Sequence, residues 1–333
     1  MSGLPGATAL EHADPALRQT LARGLAAVEE RLRETMRSSN PLVTEVSRHL
    51  TDAGGQRFRP LLTLLAAHLG DPARAAVVDA AVVVELTHLA SLYHDDVMDE
   101  APLRRGAASA NARWTNTVAI LTGDYLFARA SDVVAGRGPE AVRIQSRTFA
   151  RLVEGQISET AGPAEGEDPM RHHLQVLADK TGSLIATSAR LGALQAGAPD
   201  DVVTRVAAYG ESLGLAFQLS DDLIDVTAEP GASGKAPGTD LREGVRTLPV
   251  LLALADDAPA HARLRELLAG PLEDDARHAE ALALLRAHPA MAGAAARLQE
   301  TVEHAQETAR GLPAGPAREA LLDLAGYVVA RTG

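Results

Sequence analysis

Apolar positions recur at intervals of three and four residues over most of this chain. That spacing places apolar side chains on one face of an α-helix, so each such segment is predicted to be helical and to bury that face. Glycine and proline separate the segments, for example at Gly54-Gly55, Pro102 and residues 162–169, where we expect turns. The clearest helical segments are Leu17–Met36, Leu61–Leu69, Ala75–His94, Val118–Val134, Val142–Ala161, Leu174–Ala196 and Val202–Val226.

The fold class follows from this pattern and from the composition. No stretch alternates convincingly with a period of two, so strands are not expected. The apolar residues are mostly Ala, Leu and Val in a chain rich in Arg and Glu, and only 3% of residues are aromatic. Such residues favour helices. The sequence therefore predicts an all-α protein, a single-domain helical bundle over residues 1–333, with a mobile loop at about 229–246.

Charge and composition limit the function. The formal net charge of -12 argues against a nucleic-acid partner, which would require a basic surface. The longest apolar runs fall far short of the ~18 residues that span a bilayer, and residues 1–12 do not resemble a signal peptide, so we expect a cytoplasmic protein without a transmembrane segment. The absence of cysteine excludes disulfides, thiolate metal sites and a cysteine nucleophile.

Two matched acidic motifs carry the strongest chemical signal. Residues 95–99 and 221–225 both have the form Asp-Asp-x-x-Asp, and each motif ends a largely apolar helical segment. A helix dipole is negative at that end, so nearby positive charge is expected. Residues four apart share a helix face, which directs the first and last carboxylate of each motif toward one point. Oxygen ligands of this kind suit Mg²⁺. A solvated acidic helix end is the alternative, and the matched pair disfavours it.

The basic residues suggest where anions bind. Of the 32 Lys and Arg residues only two are lysine, Lys180 and Lys235, so both are candidate site residues, with ordinary surface lysines as the alternative. Arginines also cluster after the Gly54-Gly55 pair and directly after the first acidic motif. Each cluster taken alone could be a surface turn. Together they supply enough charge to bind diphosphates.

The order of these motifs resembles that of the trans-type prenyl diphosphate synthases of the polyprenyl synthetase family, especially the long-chain members. The resemblance covers about residues 54–249, from the glycine pair to Thr247-Leu248-Pro249. It implies a helical bundle around a deep central cavity, usually built as a homodimer. It also implies a Mg²⁺-dependent condensation of isopentenyl diphosphate with an allylic diphosphate, head to tail, without a protein nucleophile.

The same resemblance assigns roles to individual residues. Asp95, Asp99 and Asp221 would be direct Mg²⁺ ligands. Asp96, Asp222 and Asp225 would have supporting or water-mediated roles at the metal. The allylic diphosphate would be held by Arg104, Lys180, Gln218 and Lys235. Isopentenyl diphosphate would be held by Gln56, Arg57, Arg59, His88 and Arg105. Thr181 would steady the developing cation, and for His88 an ordinary buried histidine remains the alternative.

Two positions depart from the family pattern. Gln56 stands where the family usually has lysine, which puts the strength of isopentenyl diphosphate binding in doubt. Val245 stands where the family has a second loop lysine, which puts closure of the loop over the allylic diphosphate in doubt. Gln keeps hydrogen-bonding capacity but carries no charge.

Product length is predicted from the first acidic helix. If Asp95 lies at the mouth of the cavity, five residues toward the N-terminus lie about 7.5 Å deeper, at about 1.5 Å per residue. Ala90 and Ser91 occupy that level and both are small, whereas by resemblance short-chain members have a bulky aromatic residue there. The open helix face predicts a product of about six to ten isoprene units. The alternative is that Ala90 is small for helix packing and another helix forms the floor.

Other functions were weighed against this one. A shorter-chain synthase differs only in product length. A terpene cyclase would lack the second Asp-Asp-x-x-Asp motif and the second diphosphate site, and a non-catalytic subunit of a heteromeric synthase would have lost one acidic motif. Residues 210–214 fit the Gly-x-Ser-x-Gly pattern of hydrolases, but that motif requires a strand before the serine. We therefore assign these glycines to close helix packing.

Overall fold

A computed structural model describes residues 10–11, 13–228 and 237–330 of the chain. Helices dominate this part of the chain. The first nine are α1 Pro15–Thr35, α2 Pro41–Asp52, α3 Phe58–Ala67, α4 Ala75–Met98, α5 Ala110–Arg113, α6 Asn116–Ala135, α7 Pro139–Ala161, α8 Pro169–Leu177 and α9 Ser183–Gln195. They are followed by α10 Asp200–Thr227, α11 Thr239–Glu243, α12 Leu248–Leu254, α13 Ala262–Leu267, α14 Asp275–Ala287, α15 Pro289–Arg310 and α16 Pro316–Ala330. The all-α class predicted from the sequence is confirmed.

One short β-pair departs from the sequence prediction that strands are absent. Strand β1, Leu103–Arg104, pairs antiparallel with β2, Ala107–Ala108. The two residues between them, Arg105 and Gly106, have φ angles of 55° and 78°. Two left-handed residues in succession form the tight turn that joins antiparallel strands. A two-residue strand is too short to show an alternating pattern, so apolar periodicity could not predict it.

Residue contacts divide the chain into two compact units. The first contains the described residues up to Arg151 together with Ser183–Gly210 and Thr308–Leu324. Within it, α4 packs against α1, α3, α6 and α9. Helices α3 and α9 approach closely because residue 192 is glycine: a Cβ atom there would lie 2.1 Å from the carbonyl oxygen of Thr63. Helix α4, which ends in the first acidic motif, is thus held on several sides.

The apolar character of α4 also bears on the membrane question. Among the described helices, α4 is long and apolar enough to cross a bilayer, but 61% of its apolar window is buried within the protein. A core helix of a soluble protein has the same properties. The burial of α4 is that of a core helix, and the absence of a transmembrane segment stays a prediction.

The second unit contains Leu152–Gly182, Glu211–Glu307 and the described residues from Ala325 onward. Its helices α11 to α14 enclose a core of their own. That core contains Val226, Leu241, Val250, Ala253, Leu264, Leu267, Leu268, Leu272, Ala281, Leu285 and Ala290. Because Val226 belongs to this core, the end of α10 and the second acidic motif are fixed to it.

The structure interrupts one helical segment that the sequence predicts as continuous, Leu174–Ala196. Helix α8 ends at Leu177, one turn of π-helix spans Ala178–Gly182, and α9 begins at Ser183. Gly155 on α7 packs against this turn, since a Cβ atom there would lie 2.7 Å from the backbone nitrogen of Lys180. The irregularity depends on a tertiary contact, which apolar periodicity does not record.

The Gly-x-Ser-x-Gly residues lie in the middle of α10, without a preceding strand. A Cβ atom at Gly210 would lie 2.6 Å from the Cα atom of Ala186, so this glycine permits close packing of α9 on α10. The assignment to helix packing is confirmed for Gly210.

Candidate active site

The first acidic motif lies at the C-terminal end of α4, where Asp99 is the C-cap residue. Asp96 has no exposed side-chain surface and accepts a hydrogen bond from Nε of Arg104 at 2.6 Å. Burial raises the pKa of Asp96, and the bond from Arg104 partly offsets that effect. Asp95 is half-buried and Asp99 is exposed. Asp96 thus has a partner within the protein, and the roles of Asp95 and Asp99 as metal ligands stay predictions.

The second acidic motif lies on α10, and the carboxylates of Asp222 and Asp225 contact other parts of the protein. Oδ2 of Asp222 lies 3.2 Å from Nε2 of His173 and 3.4 Å from the backbone nitrogen of Leu248. The two oxygens of Asp225 accept hydrogen bonds from the backbone of Thr239 and Asp240, at 3.1 and 3.2 Å. Both carboxylates therefore have protein partners that hold them. Asp221 is half-buried, and its role as the direct ligand of this motif stays a prediction.

Arg57 does not extend toward solvent as the predicted contact to isopentenyl diphosphate requires. Its side chain is 7% exposed and all three guanidinium nitrogens have protein partners. Nε donates to Glu29, Nη1 donates to Glu85 and to the carbonyl of Gly54, both at 3.2 Å, and Nη2 donates to the carbonyl of Thr51 at 3.0 Å. This geometry favours an internal role for Arg57.

Arg59 and Arg105 offer a better anion site. No hydrogen bond or ion pair joins the guanidinium of Arg59 to any residue in the described part of the chain, and its Nε is buried. Burial lowers the pKa of Arg59 to about 10; the charge of Glu85 opposes this shift and that of Arg105 contributes to it. Arg59 therefore remains charged at neutral pH. A half-buried guanidinium that makes no hydrogen bond among the described residues is costly, so an anionic ligand would stabilise it.

Arg105 lies against the glycine pair that the sequence singled out. Its Nη1 donates to the carbonyl of Leu50 at 2.8 Å and also to the carbonyl of Gly54. Gly55 has a φ of 134°, and a Cβ atom on it would lie 2.6 Å from Cζ of Arg105. The glycine pair thus makes room for a guanidinium group.

His88 and Gln56 complete the set predicted for isopentenyl diphosphate. Burial lowers the pKa of His88 well below its usual value, and the charges of Arg59 and Arg105 lower it further, so the imidazole is neutral at pH 7. A neutral ring can still donate or accept one hydrogen bond per nitrogen. Gln56 is exposed. Their contacts to a substrate stay predictions.

The residues predicted for the allylic diphosphate lie on two elements of the second unit and on β1. Lys180 and Thr181 belong to the π-helical turn, where Nζ of Lys180 donates to Glu159. Thr181 Oγ1 donates to Oε1 of Gln218 on α10 at 3.3 Å. Arg104, on β1, uses Nε for Asp96 and has its terminal nitrogens without a hydrogen-bond partner among the described residues. These side chains are positioned by the protein and retain donors for an anion.

The predicted mobile loop is described only in part. Lys235 lies outside the described residues, as do the others from 229 to 236. Residues 237–246 are more regular than predicted, because they contain α11 between Gly238 and Gly244, which both have positive φ angles. Val245 is 40% exposed, and its N–H donates to the carbonyl of Asp240 at 2.8 Å.

Ala90 and Ser91, the predicted determinants of product length, are both buried on α4. Ala90 has no exposed surface and Ser91 is 9% exposed, with Oγ donating to the carbonyl of His88 at 2.9 Å. Helix α6 approaches here because residue 123 is glycine: a Cβ atom there would lie 3.1 Å from the carbonyl oxygen of Ala90. The small residues thus occur where two helices lie close, and the product length stays a prediction.

Sequence reasoning missed the partners of the predicted site residues. These are Glu29, Glu85, Glu159 and His173. One of these four residues could have been recognised from the sequence. Glu85 is the only acidic residue between Ala80 and His94, in a run that is otherwise almost entirely apolar. A carboxylate in the interior of a buried helix indicates a partner of opposite charge.

Asp256, His261 and His288 form a further group of metal-type side chains in the second unit. Nδ1 of His261 lies 2.9 Å from Oδ2 of Asp256, and Nε2 of His288 lies 3.4 Å from the same oxygen. Nδ1 of His288, however, accepts a hydrogen bond from the backbone of Ala290 at 3.0 Å. The proton of the neutral ring is therefore on Nε2, which is buried and makes no hydrogen bond among the described residues. The hydrogen bonds of His261 to Asp256 and of His288 to the backbone account for part of this group, and the acidic motifs remain the candidate metal site.

A cavity of about 360 Å³ in the first unit differs from the candidate active site. It is lined by the start of α1, by His68 and Leu69, and by residues 313–317. None of the predicted site residues lines it. The candidate site is therefore defined by side-chain chemistry and not by this cavity.

The fold and these contacts define an all-α protein that carries carboxylates suited to divalent metal ions and arginines suited to anionic phosphates. Residues 40–285 match the model of the polyprenyl synthetase family. The chain belongs to this family and is a prenyltransferase. The resemblance seen in the sequence motifs is confirmed.

Relatives that are named for their activities share most of their length with this chain. It is 51% identical over 311 residues to the nonaprenyl diphosphate synthase of Mycobacterium tuberculosis, covering 93% of both chains. It is 39% identical to component 2 of the heptaprenyl diphosphate synthase of Geobacillus stearothermophilus, covering 92% of this chain and 96% of that one. The geranylgeranyl pyrophosphate synthase of Corynebacterium glutamicum, solved with calcium and isoprenyl diphosphate, has a TM-score of 0.88 and 44% identity, over 96% of this chain and 98% of that one.

Proposed function

We propose that this chain is a Mg²⁺-dependent synthase that condenses isopentenyl diphosphate with an allylic diphosphate into a long-chain trans-polyprenyl diphosphate. The observation that carries the proposal is the pair of acidic motifs, in each of which the structure engages the second aspartate with a protein partner. Oxygen donors at the end of a helix fit Mg²⁺, which prefers a few carboxylates together with substrate phosphates. The names of the relatives support the same reaction.

The protein's own residues supply binding and charge stabilisation. Lys180, Arg104 and Gln218 bind the allylic diphosphate, whose bond to carbon breaks and leaves its electron pair on the departing oxygen. Arg59 and Arg105 hold isopentenyl diphosphate so that its double bond forms the new carbon–carbon bond, after which the resulting cation loses a proton to the released diphosphate. Asp95, Asp99 and Asp221 would hold Mg²⁺, which would neutralise charge on the leaving group. Preorganised charges of this kind are the main source of catalysis in such a site.

The proposal also includes the length of the product, which we propose to be a long chain. The relative from Mycobacterium tuberculosis is named for a nonaprenyl product, whereas the structure from Corynebacterium glutamicum is named for a geranylgeranyl product. Relatives with similar sequence identity to this chain are thus named for products of different chain length. We propose the longer product because Ala90 and Ser91 are both small, and a shorter-chain synthase is the alternative.

One assay separates the candidate functions. The protein is incubated with Mg²⁺, labelled isopentenyl diphosphate and allylic primers of several lengths, and the products are resolved by chain length. We expect long-chain labelled diphosphates with Mg²⁺ and none with a chelator. A hydrocarbon formed from the primer alone would indicate a terpene cyclase instead. Activity that appears only when a second protein is added would indicate a subunit of a heteromeric synthase.

Gln56 offers a test of the isopentenyl diphosphate site. We expect Gln56→Lys to lower the KM for isopentenyl diphosphate about fivefold and to change the KM for the primer much less. An added ammonium beside a phosphate forms a charge-assisted contact worth about 1 kcal/mol or more. Gln19→Lys makes the same change at an exposed position of α1 and serves as the control. An unchanged or higher KM in Gln56→Lys would place Gln56 outside the pocket.

We also propose that the protein is a homodimer. Ile120 and Leu121, adjacent on α6, are 43% and 61% exposed, and exposed apolar pairs of this size favour an interface. Sedimentation equilibrium is expected to give twice the chain mass of 34.8 kDa. Leu121→Asp should shift the protein toward monomer, whereas Leu42→Asp, at an exposed leucine of α2, should not. A wild-type monomer would refute the dimer.

A further inference from the structure

Glu85 is a buried carboxylate surrounded by arginines. Its side chain is 2% exposed, in the middle of the apolar helix α4. Burial raises the pKa of Glu85, while Arg57, Arg105 and Arg59 oppose that rise. Burial of a charged carboxylate is costly unless it has a partner, and here Nη1 of Arg57 lies 3.2 Å from Oε1. The mechanism above gives this carboxylate no role.

Glu85 fixes Arg57 in an unusual backbone conformation. Arg57 has a φ of 47°, in the left-handed region that costs a residue other than glycine roughly 1 kcal/mol or more. Such a conformation persists only when its surroundings determine it. Glu85 and Glu29 supply two ion pairs, and the carbonyls of Thr51 and Gly54 accept the remaining hydrogen bonds.

The carbonyl of Gly54 connects this pair to the anion site. It accepts hydrogen bonds from both Arg57 and Arg105, so the two guanidinium groups are held by one oxygen atom. A change in the orientation of Arg57 would therefore displace Gly54 and, with it, Arg105. Arg59 lies in the first turn of α3, the helix for which Arg57 is the N-cap residue. It would therefore move too.

We propose that Glu85 is a positioning residue for isopentenyl diphosphate: it holds Arg57 as an internal brace, which orients Arg105 and leaves Arg59 to contact the diphosphate. This inference rests on the proposed function. The proposal predicts a change in anion affinity opposite to the change expected from charge alone. Removal of a negative charge beside an anion site should strengthen anion binding, whereas loss of a brace should weaken it.

The test is Glu85→Gln, which keeps the shape of the side chain and removes its charge. Binding of isopentenyl diphosphate alone is measured by calorimetry without primer, so that no reaction occurs, and the KM values of both substrates are measured separately. We expect affinity for isopentenyl diphosphate to fall about tenfold, as for the loss of a charge-assisted hydrogen bond. The KM of the primer should stay within about twofold of the wild type. Glu85→Asp should restore part of the affinity.

Two further variants keep the test decisive if Glu85→Gln does not fold. Arg57→Lys retains the charge but loses the forked hydrogen bonds, and Glu29→Gln removes the more exposed of the two partners. Both should weaken isopentenyl diphosphate binding, the second by about two- to threefold. Tighter or unchanged binding in the folded variants would overturn the positioning role while leaving the proposed function intact. A wild-type protein that does not bind isopentenyl diphosphate would overturn both.

Discussion

Asp95→Ala and Asp221→Ala are each expected to lower kcat about 100- to 1,000-fold at saturating substrate and Mg²⁺. Each variant removes one of the carboxylates assigned to the metal, and the charge that develops on the departing diphosphate would lose part of its stabilisation. Helical content should be unchanged by circular dichroism, because both side chains are only half-buried at the ends of their helices.

Matched controls exist for both variants. Asp132, on α6, is 69% exposed and pairs with Arg129 three residues before it, so Asp132→Ala should retain full activity. Asp201, exposed at the start of α10, provides the same control on the helix that carries Asp221. If Asp95→Ala or Asp221→Ala condensed substrate at nearly the wild-type rate, the assignment of the metal ligands would be wrong.

Ala90→Phe is expected to shorten the main product to about three or four isoprene units while the first condensation proceeds at nearly the wild-type rate. If Asp95 lies at the mouth of the cavity, a ring at position 90 would lie about 7.5 Å deeper and block the growing chain. Radiolabelled products resolved by length provide the measurement. Ala90→Val, a smaller increase in volume, should shift the distribution less.

The stability of Ala90→Phe shows whether the new ring blocks the product tunnel or disrupts the packing of the core. Ala90 has no exposed surface, so a phenylalanine that points into packed side chains would cost about 1–3 kcal/mol and lower the melting temperature. A ring that enters open space should cost much less. A wild-type product distribution in Ala90→Phe would show that Ala90 does not face the tunnel, and the long-chain proposal would lose its main support.

The helices and the motifs were readable from the sequence, but the partners of the motif residues were not. Apolar periodicity predicted residues Ala75–His94 of the helix that ends at Met98, because burial and helix geometry produce a local pattern in the chain. Arg57 illustrates the limit. Its two acidic partners lie 28 residues away in either direction, and no local pattern links positions so far apart. The resemblance to the family therefore assigned Arg57 to the substrate, whereas the geometry favours a role within the protein.

The charge balance at the acidic motifs was partly predictable. The helix dipole led us to expect a cation beside the carboxylates at the end of α4, and Arg104 meets Asp96 there. For Asp222 the partner is His173, on a helix that precedes α10 by more than twenty residues. Which basic residue reaches which carboxylate depends on packing, which the sequence alone does not record.

The π-helical turn at Ala178–Gly182 implies a trade-off between stability and activity. A π-helical turn contains an extra residue relative to an α-helical one and is less favourable, so natural selection retains it mainly where function benefits. Deletion of one residue here would make the helix regular and would rotate Lys180 and Thr181 by about 100° relative to the residues on the other side of the deletion. Engineering that seeks only heat resistance would favour such a deletion, at the expense of catalysis.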